Sequence, residues 1–265
     1  MFRYSRICYL CSLIFAKHCN RLNFSYLHMP GFKKSYDFVS GEVLLFDKDL
    51  DWTSFDLVSR VRNALYRKTG IKKMKVGHAG TLDPLATGLM ILCTGKATKQ
   101  IESLQIQEKE YIATLHLGAT TPSFDMETEE DSQNDCSFVT EEIFKTALKK
   151  FEGETDQVPP VFSAVKVKGK RAFEYARNGE SIKLQPKKIV ISKIELISFQ
   201  LPTVVIKVVC SKGTYIRSLA RDIGEELKCG AYLTGLRRTR IGEFKIENAM
   251  TVEYFTENLN LIETN

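Results

Sequence analysis

The amino-acid sequence predicts an α+β fold with a mixed, largely antiparallel central sheet flanked by helices. Residues 188–199 and 203–210 are β-rich runs that lie close enough to pair as antiparallel neighbours. Other predicted strands alternate with segments of helical periodicity. Strands that occur both in pairs and between helices argue against a doubly wound parallel sheet. Hydrophobic residues make up 43% of the 265 positions, which predicts a sizeable core.

The first predicted elements are a strand and a helix. The apolar run at residues 42–46 predicts the strand. Thr53 followed by Asp56 is typical of a capped helix start, and apolar residues then recur at helical spacing. These apolar residues are Val58, Val61 and Leu65. Residues 111–117 then alternate between two faces, which predicts a second strand.

The later predicted elements are two helices and a short C-terminal pair. Residues 140–151 are typical of a capped amphipathic helix, and residues 215–228 of a helix that stops before Gly230. The expected inward positions are Ile143, Phe144, Ala147, Leu148 and Phe151 in the first helix and Ile216, Leu219, Ala220, Ile223 and Leu227 in the second. Residues 241–246 are strand-like, and a short helix-like stretch begins at Thr251.

The distribution of charge along the chain is more informative about an RNA partner than the net charge is. The formal charge is +6, but residues 1–36 hold six basic residues and no acid, so the remainder is neutral. Residues 157–188 hold eight basic residues against two acidic ones. This local excess fits either a solvated surface excursion or an RNA contact.

Residues 1–28 differ in composition from the rest and are expected to lie outside a fold that spans residues 29–265. They contain early arginines, an apolar stretch and no acid, as targeting segments do. Three interpretations stay open: a true start at Met29, an organellar transit peptide and a secretory signal. The expected location is cytoplasmic, or organellar if the segment is a transit peptide. Cys8 and Cys11 form a lone CxxC, which indicates chance spacing rather than a metal site.

Residues 77–88, GHAGTLDPLATG, are the densest cluster of special residues. Three glycines and a proline argue against a regular helix or central strand, so a shaped loop presenting His78 and Asp83 is predicted. Taken alone, an Asp-Pro turn with a surface histidine explains the pattern more simply. A phosphate-binding P-loop is excluded nearby, because Met90 and Ala97 stand where Gly and Ser or Thr are required.

The same motif resembles the signature of the TruB-type tRNA pseudouridine synthases. Four further blocks resemble the other motifs of that family and follow in the same order. They are Lys109-Glu110-Tyr111, Gln157-Val158-Pro159-Pro160, Cys210-Ser211-Lys212-Gly213-Thr214-Tyr215-Ile216-Arg217-Ser218-Leu219 and Leu236-Arg237-Arg238-Thr239. The resemblance extends from residue 41 to about residue 246 and implies the pseudouridine synthase fold.

The resemblance implies a role for six residues. Asp83 would be the catalytic carboxylate, and Arg217 would hold it through a two-pronged hydrogen bond. The implied substrate-binding residues are His78, Tyr111, Tyr215 and Leu236. Without the resemblance, Arg217 fits an ordinary helix-surface arginine, Tyr111 fits a half-buried strand residue, and Tyr215 and Leu236 fit the core.

The implied activity is isomerisation of uridine 55 in the T loop of tRNA to pseudouridine. The N1–C1′ bond must break and C5 must join C1′, which a carboxylate can assist as a nucleophile or by promoting elimination. The stacked target base must first be flipped out of its loop. The alternative is a non-catalytic RNA-folding chaperone or tRNA-binding module on the same scaffold, which would not need Asp83 in an RNA-facing cleft.

The resemblance also implies the partners. The T-arm stem-loop of tRNA is the expected partner of a monomer that needs no cofactor, metal, membrane or guide RNA. Residues 157–188 would be an RNA-binding insertion. Because few residues follow Arg240, a single catalytic domain without a C-terminal PUA domain is expected.

Two features differ from the family pattern. Residues 48–54 lack the Pro and Gly of the usual Lys-Pro-x-Gly-x-Thr-Ser stretch. They contain Asp49 and Asp51 instead, whose charges would repel phosphate. Phe173 stands where a tyrosine is common, so one hydroxyl is lost. Both changes bear on RNA binding rather than on the chemistry.

Overall fold

The computed structural model describes residues 35–261 and the backbone of residues 263–264. The prediction for residues 1–28 lies outside these described residues. The helices are α1 (Ser54–Thr69), α2 (Ile101–Ile106), α3 (Glu141–Lys149), α4 (Ala172–Arg177), α5 (Ile216–Glu226) and α6 (Val252–Asn258). The strands are β1 (Ser35–Tyr36), β2 (Val43–Lys48), β3 (Val76–His78), β4 (Ala86–Thr94), β5 (Lys109–Leu117), β6 (Ala119–Thr120), β7 (Ser132–Gln133), β8 (Gly153–Gln157), β9 (Lys166–Val167), β10 (Lys170–Arg171), β11 (Lys187–Gln200), β12 (Thr203–Cys210), β13 (Ala231–Ile241), β14 (Phe244–Lys245) and β15 (Glu263–Thr264).

Within the described part of the chain, nine strands form one central sheet. Its order is β2-β4-β13-β5-β12-β11-β8, with β3 also paired to β4 and β14 to β13. All neighbours are antiparallel except β4 and β13, which run parallel. The predicted α+β fold with a mixed, largely antiparallel sheet is therefore confirmed. The predicted pairing of residues 188–199 with 203–210 is also found, in β11 and β12.

Two central strands, β4 and β13, are absent from the predicted elements. β4 is buried on both faces: Leu89 and Ile91 lie in one hydrophobic cluster, whereas Met90 and Leu92 lie in the other. A strand covered on both faces is a continuous apolar run without a period of two. The residue pattern of β4 therefore does not distinguish a strand from a buried helix.

The prediction of a loop over all of residues 77–88 was wrong at both ends. β3 ends at His78 and β4 begins at Ala86, so the loop is confined between them. Gly88 lies inside β4, and a Cβ there would lie 2.3 Å from the backbone oxygen of Arg238 on β13. This glycine permits the close approach of two parallel strands and does not break the sheet.

Helices α3 and α5 form close to their predicted positions. Thr140 caps α3, and all five predicted inward residues of α5 are buried. The prediction for Ile143 was wrong, because its side chain is 44% exposed. The buried stripe of α3 is centred on Phe144. Ile143 is the adjacent residue, so it lies about 100° around the helix axis from the centre of that stripe. No helix among residues 35–261 is long and apolar enough to cross a bilayer.

Thr53 caps α1 as predicted, and this cap is expected to contribute measurably to the stability of the fold. The Thr53 hydroxyl accepts from the Asp56 backbone N–H at 3.1 Å, and the Asp56 carboxylate accepts from the Thr53 backbone N–H at 2.9 Å. We expect Thr53→Ala to lower the free energy of unfolding by about 1 kcal/mol. Thr146→Ala is the control, because its hydroxyl donates to the Glu142 carbonyl inside α3 and caps nothing. Equal effects of the two variants in urea unfolding would contradict the capping role.

Candidate active site

A cleft of about 340 Å³ lies where the loop after β3, the strands β5 and β13 and the start of α5 meet. Its volume falls within the range of ligand cavities in proteins, roughly 300–1,000 Å³. Five of the six predicted site residues line it, namely Asp83, Tyr111, Tyr215, Arg217 and Leu236. These residues come from four separate segments of the chain, so only the folded sheet brings them together.

Asp83 and Arg217 form an ion pair inside the cleft. The Nη2 atom of Arg217 lies 2.8 Å from Oδ2 of Asp83. The arginine side chain is 5% exposed and the carboxylate 42% exposed, so the acid reaches solvent while its partner does not. The prediction of a two-pronged hydrogen bond between Arg217 and Asp83 was wrong, because the Nε atom of Arg217 lies near a different carboxylate.

That second carboxylate is Asp125, which sequence reasoning missed. Its Oδ2 atom lies 3.4 Å from Nε of Arg217, and its side chain is 7% exposed. The carbonyl oxygens of Ser123 and Phe162 accept further hydrogen bonds from the same guanidinium, at 3.3 and 2.9 Å. Asp125 belongs to an acidic surface loop in sequence, and nothing in its spacing distinguishes it from the exposed acids nearby. The network holds Arg217 rigidly, which fixes the direction in which it contacts Asp83.

Tyr111 and Tyr215 provide aromatic surface in the cleft. Burial raises the pKa of both phenols above the ordinary value for tyrosine, so both are protonated at neutral pH. The backbone of Tyr215 is held by the side chain of Gln157, which accepts from its N–H at 2.8 Å and donates to its carbonyl at 3.1 Å. Leu236 of β13 adds an apolar contact to the same cavity.

Arg238 fastens the loop that carries Asp83 to the sheet, and sequence reasoning assigned it no role. It is 1% exposed. Its Nε atom donates to the Leu89 carbonyl at 2.8 Å, and its two Nη atoms donate to the carbonyls of Thr81 and Gly80 at 3.3 and 3.1 Å. One guanidinium thus connects β4 to the segment that leads into Asp83.

Lys48 anchors the other side of the same loop. Its buried ammonium donates to the carbonyls of Trp52 and Pro84, at 2.6 and 3.3 Å. Burial lowers the pKa of Lys48 to about 8, although the charges of nearby aspartates oppose that shift. Asp51 stands where the family pattern has Gly and adopts φ 63°, a left-handed conformation that Asp tolerates better than most residues.

His78 lies at the end of β3 and, unlike the other five predicted residues, does not line the cleft. Burial lowers its pKa below the ordinary value for histidine, so the imidazole is neutral at physiological pH. Gly80, two residues further on, does line the cleft. His78 therefore lies beside the cavity rather than in it.

The site offers organic acid–base and stacking chemistry. Within residues 35–261, no group of three or more His, Cys, Asp or Glu side chains is placed to hold a metal ion. The chemical groups that line the cavity include one accessible carboxylate with its guanidinium partner, two protonated phenols and an apolar wall, together with the cationic residues Lys109, Lys212 and Arg238. This set fits a flat, uncharged heterocycle attached to an anionic backbone.

Two family descriptions together match residues 67–265. Residues 67–216 match the TruB family pseudouridylate synthase (N terminal domain), and residues 217–265 match the tRNA pseudouridylate synthase B C-terminal domain. The tRNA pseudouridine synthase B of Phocaeicola vulgatus is 58% identical over 224 residues, which are 84% of this chain and 95% of that protein. The protein of the same name in Flavobacterium johnsoniae is 50% identical over 84% of this chain and 98% of its own length.

Solved structures show the same similarity. A chain of a Cbf5-Nop10-Gar1 complex is 30% identical, with a TM-score of 0.64 over 84% of this chain and 55% of that chain. A chain of an H/ACA RNP bound to a substrate RNA containing 2′-deoxyuridine is 29% identical, with a TM-score of 0.59. This chain spans about half the length of each. Because the family description covers residues 67–216 and the relatives match over almost their entire length, this chain belongs to the TruB family of pseudouridylate synthases.

Proposed function

We propose that this chain isomerises uridine 55 in the T loop of tRNA to pseudouridine. The names of its relatives support tRNA as the substrate. The ion pair between Asp83 and Arg217 is the observation that carries the proposal. A carboxylate facing a polyanion weakens binding, so its presence in the cleft indicates chemistry rather than binding alone.

The reaction conserves atoms and electrons. The N1–C1′ bond of the target uridine breaks, the freed uracil rotates, and a C5–C1′ bond forms. The C5 hydrogen leaves as a proton, and N1 takes up a proton. In this proposal Asp83 assists cleavage of the first bond, while Arg217 holds its Oδ2 atom in position.

The walls of the cleft hold the base during its rotation. Tyr111 and Tyr215 present aromatic rings on which uracil stacks, and Leu236 closes the apolar side. Because burial keeps both phenols protonated, they act as hydrogen-bond donors rather than as anions. The aromatic and apolar walls thus suit a neutral, flat pyrimidine that must rotate within the cleft.

The target nucleotide must leave its stacked position before it reaches Asp83. Unstacking costs a few kcal/mol, which contacts to the RNA must offset. In this proposal His78, a neutral ring beside the cleft, fills the space that the base leaves. The basic residues of the segment 157–188 then hold the RNA backbone, as an insertion into the single catalytic domain.

The experiment uses tRNA transcript tritiated at uracil C5 and the full chain without added metal. We expect release of tritium, with carbodiimide mapping of the product to position 55 of the T loop. A transcript with cytidine at position 55 is the matched control and should lose that product. If the control transcript releases as much tritium as the parent transcript, position 55 is not the site of modification. Binding to tRNA without any release would favour the RNA-chaperone alternative.

A further inference from the structure

A second basic surface lies outside the cleft. Seven arginines and lysines and no acidic residue occur between Leu57 and Leu82, directly before Asp83 in the sequence. Four of these side chains meet at a groove of about 600 Å³ that is formed by α1, the segment between α1 and β3, β3 itself, and residues Thr98 and Ile101. They are Arg62, Lys72, Lys73 and Lys75, and we call this surface the basic groove.

The charges of the basic groove are available to a ligand. None of its four side chains forms an ion pair with a carboxylate among residues 35–261. By contrast, Arg237 and Arg240 on β13 are paired with Asp47 and Glu108. All three lysines of the groove are exposed. Unpaired like charges that converge on one open groove favour a polyanionic partner.

The basic groove continues into the catalytic cleft along two segments. Gly77 lines the groove and Gly80 lines the cleft, so only two residues separate them. Ile101 lines the groove and Gln105 lines the cleft, and both belong to α2. Four residues of a helix span about 6 Å. An RNA strand whose base enters the cleft therefore reaches the groove within one or two nucleotides.

We infer that the basic groove binds consecutive phosphates of the RNA strand next to the flipped nucleotide. This inference rests on the proposed function, since it names a further contact of the same RNA. The groove lies on β3, which pairs with β4, whereas the segment 157–188 connects β8 to β11 at the opposite edge of the sheet. The RNA is thus held on two sides of Asp83, and His78 lies between the groove and the cleft.

The test is a binding titration of an isolated T-arm hairpin at several salt concentrations. The double variant Lys72→Gln with Lys73→Gln removes two charges from the groove. We expect the Kd of this variant to rise roughly 5- to 50-fold at 0.1 M salt. The slope of the logarithm of the association constant against the logarithm of salt concentration should decrease in magnitude by about 1 to 2. The control is Lys145→Gln with Lys149→Gln on α3, which changes the net charge equally.

An unchanged slope in the groove variant, or an equal fall in the control, would overturn the inference. Equal thermal unfolding midpoints for the parent and both variants will show that the fold is intact. Binding does not require turnover, so the two proposals can fail separately. A chain that binds the hairpin through the groove but releases no tritium refutes the proposed function alone.

Discussion

Replacement of Asp83 by Asn is expected to reduce single-turnover tritium release from labelled tRNA by at least about 10,000-fold, as removal of an essential side chain does in other enzymes. Asn keeps the shape of the side chain but carries no negative charge and no nucleophilic oxygen. The fold is expected to survive, because Asp83 is 42% exposed and Arg217 keeps its contact with Asp125. Arg217 also keeps its hydrogen bonds to the carbonyls of Ser123 and Phe162.

The control for that substitution is Asp135→Asn, which makes the same chemical change at an exposed position outside the cleft. We expect it to retain the rate of the parent chain. Binding of tRNA by Asp83→Asn should be at least as tight as that of the parent, since a charge that repels phosphate has been removed. A rate within tenfold of the parent for Asp83→Asn would show that Asp83 is not the catalytic carboxylate.

Replacement of Arg238 by Lys is expected to lower the free energy of unfolding by about 2–4 kcal/mol. The guanidinium reaches the carbonyls of Leu89, Thr81 and Gly80 from three nitrogen atoms, and a single ammonium lacks that geometry. A buried carbonyl left without a donor costs about 1–3 kcal/mol; the Leu89 carbonyl is buried, and the contacts to Thr81 and Gly80 are partly buried. Equilibrium urea unfolding measures the loss. The rate of tritium release should also fall, because the loop that carries Asp83 is no longer fastened to β4.

The neighbouring residue provides the matched control. Arg237 is also on β13, but its side chain is 43% exposed and pairs with Asp47 at 2.6 Å. Exposed ion pairs contribute about 0–1 kcal/mol, so Arg237→Lys should change stability by less than about 1 kcal/mol. Comparable losses for the two variants would mean that the buried contacts of Arg238 are not what stabilises the loop.

Features set by residues a few positions apart were predictable from the sequence. The cap at Thr53, the buried stripe of α5 and the alternation in β5 all follow from such local spacing. Ile143 shows the limit of that reasoning, since a residue at the edge of a helical stripe is buried only if a neighbouring element covers it. The doubly covered strand β4 marks a second limit, because burial on both faces removes the periodicity.

Five of the six predicted site residues line the cleft, but His78 does not, and the geometry of the site was not predictable. Resemblance to a family indicated Asp83 and Arg217, and the structure places them 2.8 Å apart. The resemblance gave no sign that the same guanidinium would contact Asp125 as well. Whether two groups share one arginine depends on side-chain directions that no motif specifies.

By itself the sequence determined the family, the mixed α+β class and the carboxylate on which the proposed chemistry depends. The tertiary structure decided which charged groups are buried and what they contact. Arg238 contacts Thr81 across 157 positions, and Arg217 contacts Ser123 across 94. The cost of burying a charge is offset only by partners that the fold supplies. Such partners come from loops and a strand distant in the chain, so the tertiary fold had to be known before these two arginines could be told apart from exposed ones.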